Sequence, residues 1–336
     1  ICKRNEVMAT IKEIAKIAGV STATVSHVIN SSRFVSAEIT NRVHEAMRAT
    51  GYKPNIAAYA LRTQKTKTIG LLLPILMDET SNVYFMQMML GIEAVLEAEG
   101  YCVILGNTRE NVLTEKQMLE HFQNRMVDGL IIAPTSDSQA FILEMLGGKP
   151  TVFVDREPQE LTGVDCVVND TQRGSSEAVE MLIMEGHRHI GVLSGILGKN
   201  TMADLRIQGY LDAMEKYDIP VDQNLILEGE SSRIDGYRMM QILAEKDDIT
   251  AVFISSNIMA MGAIEYLNRH SKNQSRIQIV VYDDYEWVNT CVQPIMTIRQ
   301  DAKCLGETAA CMLLSRIADP QKKTEVRRLP THLIRR

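Results

Sequence analysis

Thr10-Ile11-Lys12-Glu13-Ile14-Ala15-Lys16-Ile17-Ala18-Gly19-Val20-Ser21-Thr22-Ala23-Thr24-Val25-Ser26-His27-Val28-Ile29-Asn30 spells two short helices and the turn between them. Thr10 and Glu13 have capping-box spacing: the Thr hydroxyl accepts the Glu13 N–H and the Glu carboxylate accepts the Thr10 N–H. Ile11, Ile14, Ala15 and Ala18 then fall on one helical face. Gly19 stands where a sharp turn needs a left-handed residue without a Cβ, and Val20 folds back under it. Ser21 caps a second helix whose buried side is Val25, Val28 and Ile29, with Ala23 partly covered. Small Ala15 lets the helices approach, and Val25 fills the wedge between them. The opposite side carries Thr22, Thr24, Ser26 and His27, short polar groups suited to base edges and phosphates. A third amphipathic helix is expected from Ser36 to about Thr50, with Ile39, Val43, Ala46 and Met47 inward. Three helices in so short a span make a bundle that lays its second helix in a major groove.

Charge agrees with that reading. Residues 1–68 carry eleven Lys/Arg against four Asp/Glu, a balance of +7, while the whole chain of 336 residues has a net charge of −6. A basic head on an acidic body is drawn to DNA phosphates without sticking along its whole surface. Hydrophobic residues make up 45% and charged residues 23%, an ordinary globular composition, and the length suits a small domain followed by a large one. No apolar run reaches the ~18–20 residues of a membrane helix. Residues 1–7 lack the apolar segment of a secretory leader, so they read as an upstream extension, with Met8 the natural start. Cys2, Cys102, Cys166, Cys291, Cys304 and Cys311 are scattered, with no CxxC pair. That pattern argues against a disulfide scaffold and a zinc site and suits a reducing, cytoplasmic compartment. No cofactor and no metal-ligand set is expected.

Ala9 to Ala15, Gly19 to Asn30 and Arg33-Phe34-Val35-Ser36 together resemble the lactose/galactose repressor family, nearly continuously over residues 9–62. Within it the DNA-binding part is most similar to ribose and purine repressors. The resemblance implies that Thr22, Thr24, Ser26, His27 and Arg33 lie at DNA, with Thr22 and His27 as base readers. Ala23 stands where some relatives carry Ser or Thr.

Gly51-Tyr52-Lys53-Pro54-Asn55 breaks the helical pattern, and Asn55 can cap the short segment Ile56 to Arg62. A helix of barely two turns is marginal in water. The resemblance makes it a hinge helix that orders on DNA, with Asn55 and Tyr59 at the duplex and Leu61 wedged between base steps in the minor groove. Tyr59-Ala60 stands here in place of the family's usual Arg-Ser. The expected divisions are residues 8–53 for the helix-turn-helix, 54–68 for hinge and linker, and 69–336 for effector binding and dimerisation.

From residue 69 the pattern changes to apolar runs at 69–73, 102–105, 129–132, 151–154, 190–193, 225–227, 251–254 and 277–281, separated by amphipathic stretches. This alternation predicts an α/β body of two doubly wound parallel sheets with ligands at the strands' carboxyl ends. The family's bilobed fold, similar to periplasmic sugar-binding proteins, adds crossings near 155–170 and 285–300. By resemblance the cleft holds Tyr84 and Phe85 as stacking aromatics, Arg206 from Arg206-Ile207-Gln208-Gly209-Tyr210, and Asp283 from Val281-Tyr282-Asp283-Asp284. Lys199, Asn200 and Thr201 lie in the loop before Arg206, and Ser256-Asn257 opens a helix where the family usually has Asp at 257. An aromatic face, an arginine and a carboxylate suit a sugar.

Ser231 lies near the position where purine-binding relatives carry an aromatic, which favours a pentose or other sugar over a purine or nucleoside. The expectation is a repressor that binds pseudo-palindromic operators as a homodimer, with Met86 to Met89 in a helix where relatives pair subunits. An α/β enzyme is the competing class, but GxxxxGK[ST], GxSxG and HExxH are all missing from the sequence. A solute receptor would share the body but not the basic head.

Overall fold

The computed structural model describes residues 9–30, 33–52, 65–76, 81–135, 139–158, 163–198, 202–270, 277–292 and 294–336. They fall into two compact units, residues 1–66 and 67–336.

The first unit contains α1 (Ile11–Ala18), α2 (Thr22–Asn30) and α3 (Ala37–Thr50). Its first cap is reciprocal: the Thr10 N–H donates to Glu13 Oε2 at 2.6 Å and the Glu13 N–H to Thr10 Oγ1 at 3.4 Å. Gly19 has φ 64°, and the Gly19 and Val20 N–H groups close the end of α1 on the carbonyls of Lys16 and Ala15. Arg42 of α3 donates to the Ala18 carbonyl at 2.5 Å, a second clasp on the same helix end. The core is Ile14, Ala15, Ala18, Val25, Val28, Val43 and Ala46. Ala23 is exposed rather than partly covered.

The second unit is built on two sheets. In the first, β1 (Thr68–Leu73), β2 (Cys102–Asn107), β3 (Gly129–Ile132), β4 (Thr151–Val154), β5 (Asp165–Asn169) and β11 (Val326–Leu329) run parallel in the order β11-β5-β4-β3-β1-β2. The second holds β6 (Ile190–Gly195), β7 (Ile226–Gly229), β8 (Ala251–Ile254), β9 (Gln278–Tyr282), β10 (Ile295–Arg299) and β12 (His332–Ile334), in the order β12-β10-β9-β8-β6-β7. Its β12 is antiparallel to β10. Apart from the added edge strands, the two lobes repeat one strand order.

Apolar residues on both faces of the central strands explain why helices cover both sides. In the first lobe α4 (Ser81–Ala98) and α11 (Ala302–Ala318) cover Ile69, Leu71 and Val152, while α5 (Val112–Asn124) and α6 (Gln139–Leu146) cover Leu72, Ile132 and Phe153. In the second, α7 (Thr171–Met184) and α8 (Met202–Lys216) cover Val192, Phe253 and Val280. The opposite face, with Leu193, Val252 and Ile254, lies under α9 (Arg233–Ala244) and α10 (Asn257–Arg269).

The lobes exchange helices: α7 follows β5 yet packs on the second sheet, and α11 follows β10 yet packs on the first. The α4–α11 crossing is so close that a Cβ on Gly91 would lie 2.2 Å from the Lys303 carbonyl oxygen. The chain passes between lobes three times, at β5–α7, β10–α11 and β11–β12. The Asp170 N–H donates to the Leu329 carbonyl at 2.8 Å, so the first and third passages lie side by side. Among the described residues no helix is long and apolar enough to cross a membrane.

Candidate ligand cleft and nucleic-acid interface

Asp155 follows β4 and Asp283 follows β9, the same place in the two lobes. Both hold left-handed backbone, φ 68° and 73°, a conformation non-glycine residues rarely adopt. Asp283 accepts from Gln300 Nε2 at 2.6 Å and from the Asn257 amide. Burial pushes its pKa up, against the pull of the Arg206 guanidinium and the Gln300 hydrogen bond.

Arg206, from α8, lies over the Tyr282 ring at 3.8 Å from the centroid and donates through Nη1 to the Ser255 carbonyl at 2.5 Å. Among the described residues its Nε is buried without a partner, as are Asn257 Oδ1 and Asn169 Oδ1. Burial pushes the Tyr282 phenol up to about 12 and also raises that of Tyr285, so both hydroxyls stay neutral donors.

Tyr84 reaches the cleft from α4 and donates to Asp155 Oδ1 at 2.9 Å. Burial first, and the Asp155 charge second, hold its pKa well above the ordinary phenol value. A cavity of about 290 Å³ is lined by Tyr84, Gln87, Asp283, Asp284, Tyr285, Arg299, Gln300 and Asp301. Its size is near the ~300 Å³ lower end of small-molecule sites.

The structure thus gathers Arg206 and Asn257 around Asp283, and of the expected residues Tyr84 and Asp283 line this cavity. Ser256 is the N-cap residue of α10, beside the Ser255 carbonyl that takes Arg206. Phe85 packs edge-on to Tyr84, with ring centroids 5.4 Å apart, inside the α4–α11 core, so it supports Tyr84 and does not line the described cavity. Lys199 and Thr201 lie outside the described residues. Sequence reasoning missed Asp155, Asn169, Gln300 and Tyr285. For Asp155 a signal existed: Val152-Phe153-Val154-Asp155 ends its strand as Val280-Val281-Tyr282-Asp283 does.

In the first unit Thr22 is exposed at the start of α2, and Ser26 and His27 are half-buried along it. Thr24 is partly committed to the cap: its N–H donates to Ser21 Oγ at 3.0 Å and its hydroxyl lies 2.9 Å from the same oxygen. Arg33 is exposed, beside a Phe34 that is 96% exposed. Asn55, Tyr59 and Leu61 lie outside the described residues.

Comparison with known proteins matches residues 66–336 to the periplasmic binding proteins and sugar binding domain of LacI family, and residues 10–55 to bacterial regulatory proteins of the lacI family. The chain is 36% identical over 333 residues to the HTH-type transcriptional repressor PurR of Escherichia fergusonii, covering 98% of this chain and 96% of that protein. It is similar to the lac repressor dimer bound to operator and an anti-inducer, with a TM-score of 0.82 and 26% identity, covering 97% of this chain and 98% of the other. A LacI family regulator from Enterococcus faecium with bound ribose has a TM-score of 0.69 and 30% identity, covering 80% of this chain and 97% of the other.

Proposed function

The chain belongs to the LacI family of bacterial regulatory proteins, and from that premise we propose that this DNA-binding transcriptional repressor senses a neutral sugar, a pentose or close relative, in the cleft between its lobes. It binds operator DNA as a dimer and works as a cytoplasmic binding protein rather than an enzyme.

The observation that carries the sugar reading is a set of polar atoms unsatisfied among the described residues, around Asp283 and the Gln300 that bonds it. Asn257 Oδ1 and Asn169 Oδ1 need donors, and Arg206 Nε needs an acceptor. A ring of hydroxyls, each able to donate and accept, meets such a mixed set, and leaving it unmet costs ~1–3 kcal/mol per group. A flat base would ask for stacking faces, whereas Phe85 is buried edge-on and the residue at 231 is an exposed Ser. The regulator from Enterococcus faecium that holds ribose gives the reading independent support.

On DNA, Thr22 and His27 read bases, and Thr24, Ser26 and Arg33 position the helix. Residues 56–62 order as a hinge helix on DNA, with Asn55 and Tyr59 at the backbone and Leu61 as the wedge. In the cleft, Tyr84, Arg206, Asn257 and Asp283 hold the sugar, with Lys199, Thr201 and Ser256 at its rim and Phe85 behind Tyr84.

The test is a thermal-shift titration of the full chain with D-ribose and, separately, with adenine and adenosine. The sugar reading predicts a concentration-dependent rise in Tm with D-ribose alone. A rise with adenine or adenosine and none with D-ribose assigns the cleft to purines instead. Separately, Leu61→Ala should weaken binding to a selected operator by roughly tenfold or more while sparing random duplex; equal loss on both removes the wedge.

A further inference from the structure

Asn169 ends β5 and Gln300 follows β10, equivalent places in the two lobes and the first two of the three passages between them. Their side chains meet, with Asn169 Nδ2 donating to Gln300 Oε1 at 2.8 Å. From this pair a chain of hydrogen bonds runs into each lobe. Asn169 Nδ2 also donates to the Tyr84 hydroxyl at 3.1 Å, and that hydroxyl donates to Asp155. Gln300 Nε2 donates to Asp283.

The direction of this chain follows from its ends. A carboxylate at each end can only accept, so the donors must point outward from the middle, and one central group must donate twice. The Asn169 NH2 is that group. Its carbonyl oxygen is then left over: Asn169 is 5% exposed, and its Oδ1 is buried with no hydrogen-bond partner among the described residues.

We propose that Asn169 is the positioning and specificity residue of the cleft, its NH2 orienting the hydrogen bonds to both lobes' aspartates while its Oδ1 accepts a hydroxyl donated by the effector. This rests on the effector site reaching from the cavity at Tyr84 and Asp283 into the cavity of about 940 Å³ that Asn169 lines with Arg156 and Thr171. It adds a chemical constraint, because an effector presenting an anionic or acceptor-only group to Asn169 is rejected. It also explains how one side chain at the passage between lobes keeps the first-lobe and second-lobe halves of the site in register.

Asn169→Asp tests this with almost no change of shape. The NH2 becomes an oxygen, which cannot donate to Tyr84 or Gln300 when ionised. Reversing the Gln300 amide does not help, since its oxygen would then face Asp283. The groups around the new carboxylate are Tyr84 from α4, Asp155 at the end of β4 with Arg156 4.0 Å from it, Asp283 and Tyr285 after β9, and Arg206 from α8. Asp170 and Asp301 are chain neighbours of Asn169 and Gln300. Protonation restores one donor, so the defect must be pH-dependent.

The experiment uses full-length wild type, Asn169→Asp and Asn169→Ser, with ligand-free Tm and D-ribose calorimetry at pH 5 and pH 8. The expected result is a Tm gap between wild type and Asn169→Asp that widens from pH 5 to pH 8. D-ribose affinity should fall at least about tenfold at pH 8 and partly recover at pH 5. Asn169→Ser, which loses one donor without adding charge, should weaken D-ribose binding equally at both pH values. A Tm gap that does not change with pH overturns the proposal, as does D-ribose affinity within threefold of wild type at pH 8. If wild type itself ignores D-ribose, the sugar reading falls, and the ligand-free pH dependence alone decides the role of Asn169.

Discussion

The crossover helix of the first lobe is tied by a buried ion pair, and that of the second lobe by an exposed one. Arg316 of α11 makes a two-pronged pair with Asp165 at the start of β5, Nε to Oδ2 at 2.8 Å and Nη2 to Oδ1 at 3.2 Å. Those side chains are 10% and 5% exposed. The corresponding α7 is held by Glu185, just beyond it, which pairs with an Arg335 that is 63% exposed. The cleft shows a parallel difference. Asp155 takes a neutral tyrosine hydroxyl, whereas Asp283 takes two amides and faces Arg206. One strand order therefore carries two kinds of support and two kinds of site chemistry, because topology fixes where side chains stand and the side chains fix what happens there.

The largest effect expected from this contrast is that of Arg316→Met. It strands a buried carboxylate and should cost about 3–5 kcal/mol in urea unfolding. A loss under about 1 kcal/mol would erase the distinction between the lobes. Next comes Gly262→Ala, which tests the close α9–α10 crossing of the second lobe. The added methyl would sit 1.9 Å from the Arg233 carbonyl oxygen, for a cost of about 1–3 kcal/mol.

Asp283→Asn should act in the opposite direction and with pH. Burial raises the folded pKa of Asp283 above its ordinary 3.8, so the folded state holds the proton more tightly than the unfolded chain. That stability is fully present below about 3.8 and is lost as pH rises through the raised value. The ligand-free variant should therefore melt above wild type at pH 7, with the gap closing toward pH 3, while stabilisation by D-ribose disappears. A constant gap would remove burial as the cause. The smallest effect is that of Arg335→Met, no more than about 1 kcal/mol for an exposed pair; a larger loss would show the surface tie to be equal to the buried one.

Much of this architecture could be read in the sequence. Each of the eight apolar runs carries a strand, most of them buried on both faces, whereas the buried β5 and β10 fell outside those runs because polar residues interrupt or bound them. The first two caps, at Thr10 and Gly19, were readable because capping is local chemistry. β11 and β12 were not: both are edge strands with largely exposed side chains, so Val326-Arg327-Arg328-Leu329 has no apolar signature. The third passage between lobes was hidden with them. In the cleft, Arg206 and Asp283 were visible through family resemblance. Asn169 and Gln300 were not, because their meaning lies in a contact between residues 131 positions apart. Phe85, expected beside Tyr84 as a stacking aromatic, packs in the helix core behind it. Two adjacent helical residues point in different directions, and Tyr84 alone turned toward the cavity.

The central claim is that the cleft controls DNA affinity. It is tested most directly by fluorescence anisotropy of the full-length dimer on a pseudo-palindromic duplex selected for tight binding, with and without saturating D-ribose. The account predicts a change in Kd of at least about fivefold for wild type and none for Asp283→Asn, with random duplex unaffected. An unchanged wild-type Kd, at D-ribose concentrations that raise its Tm, would contradict it.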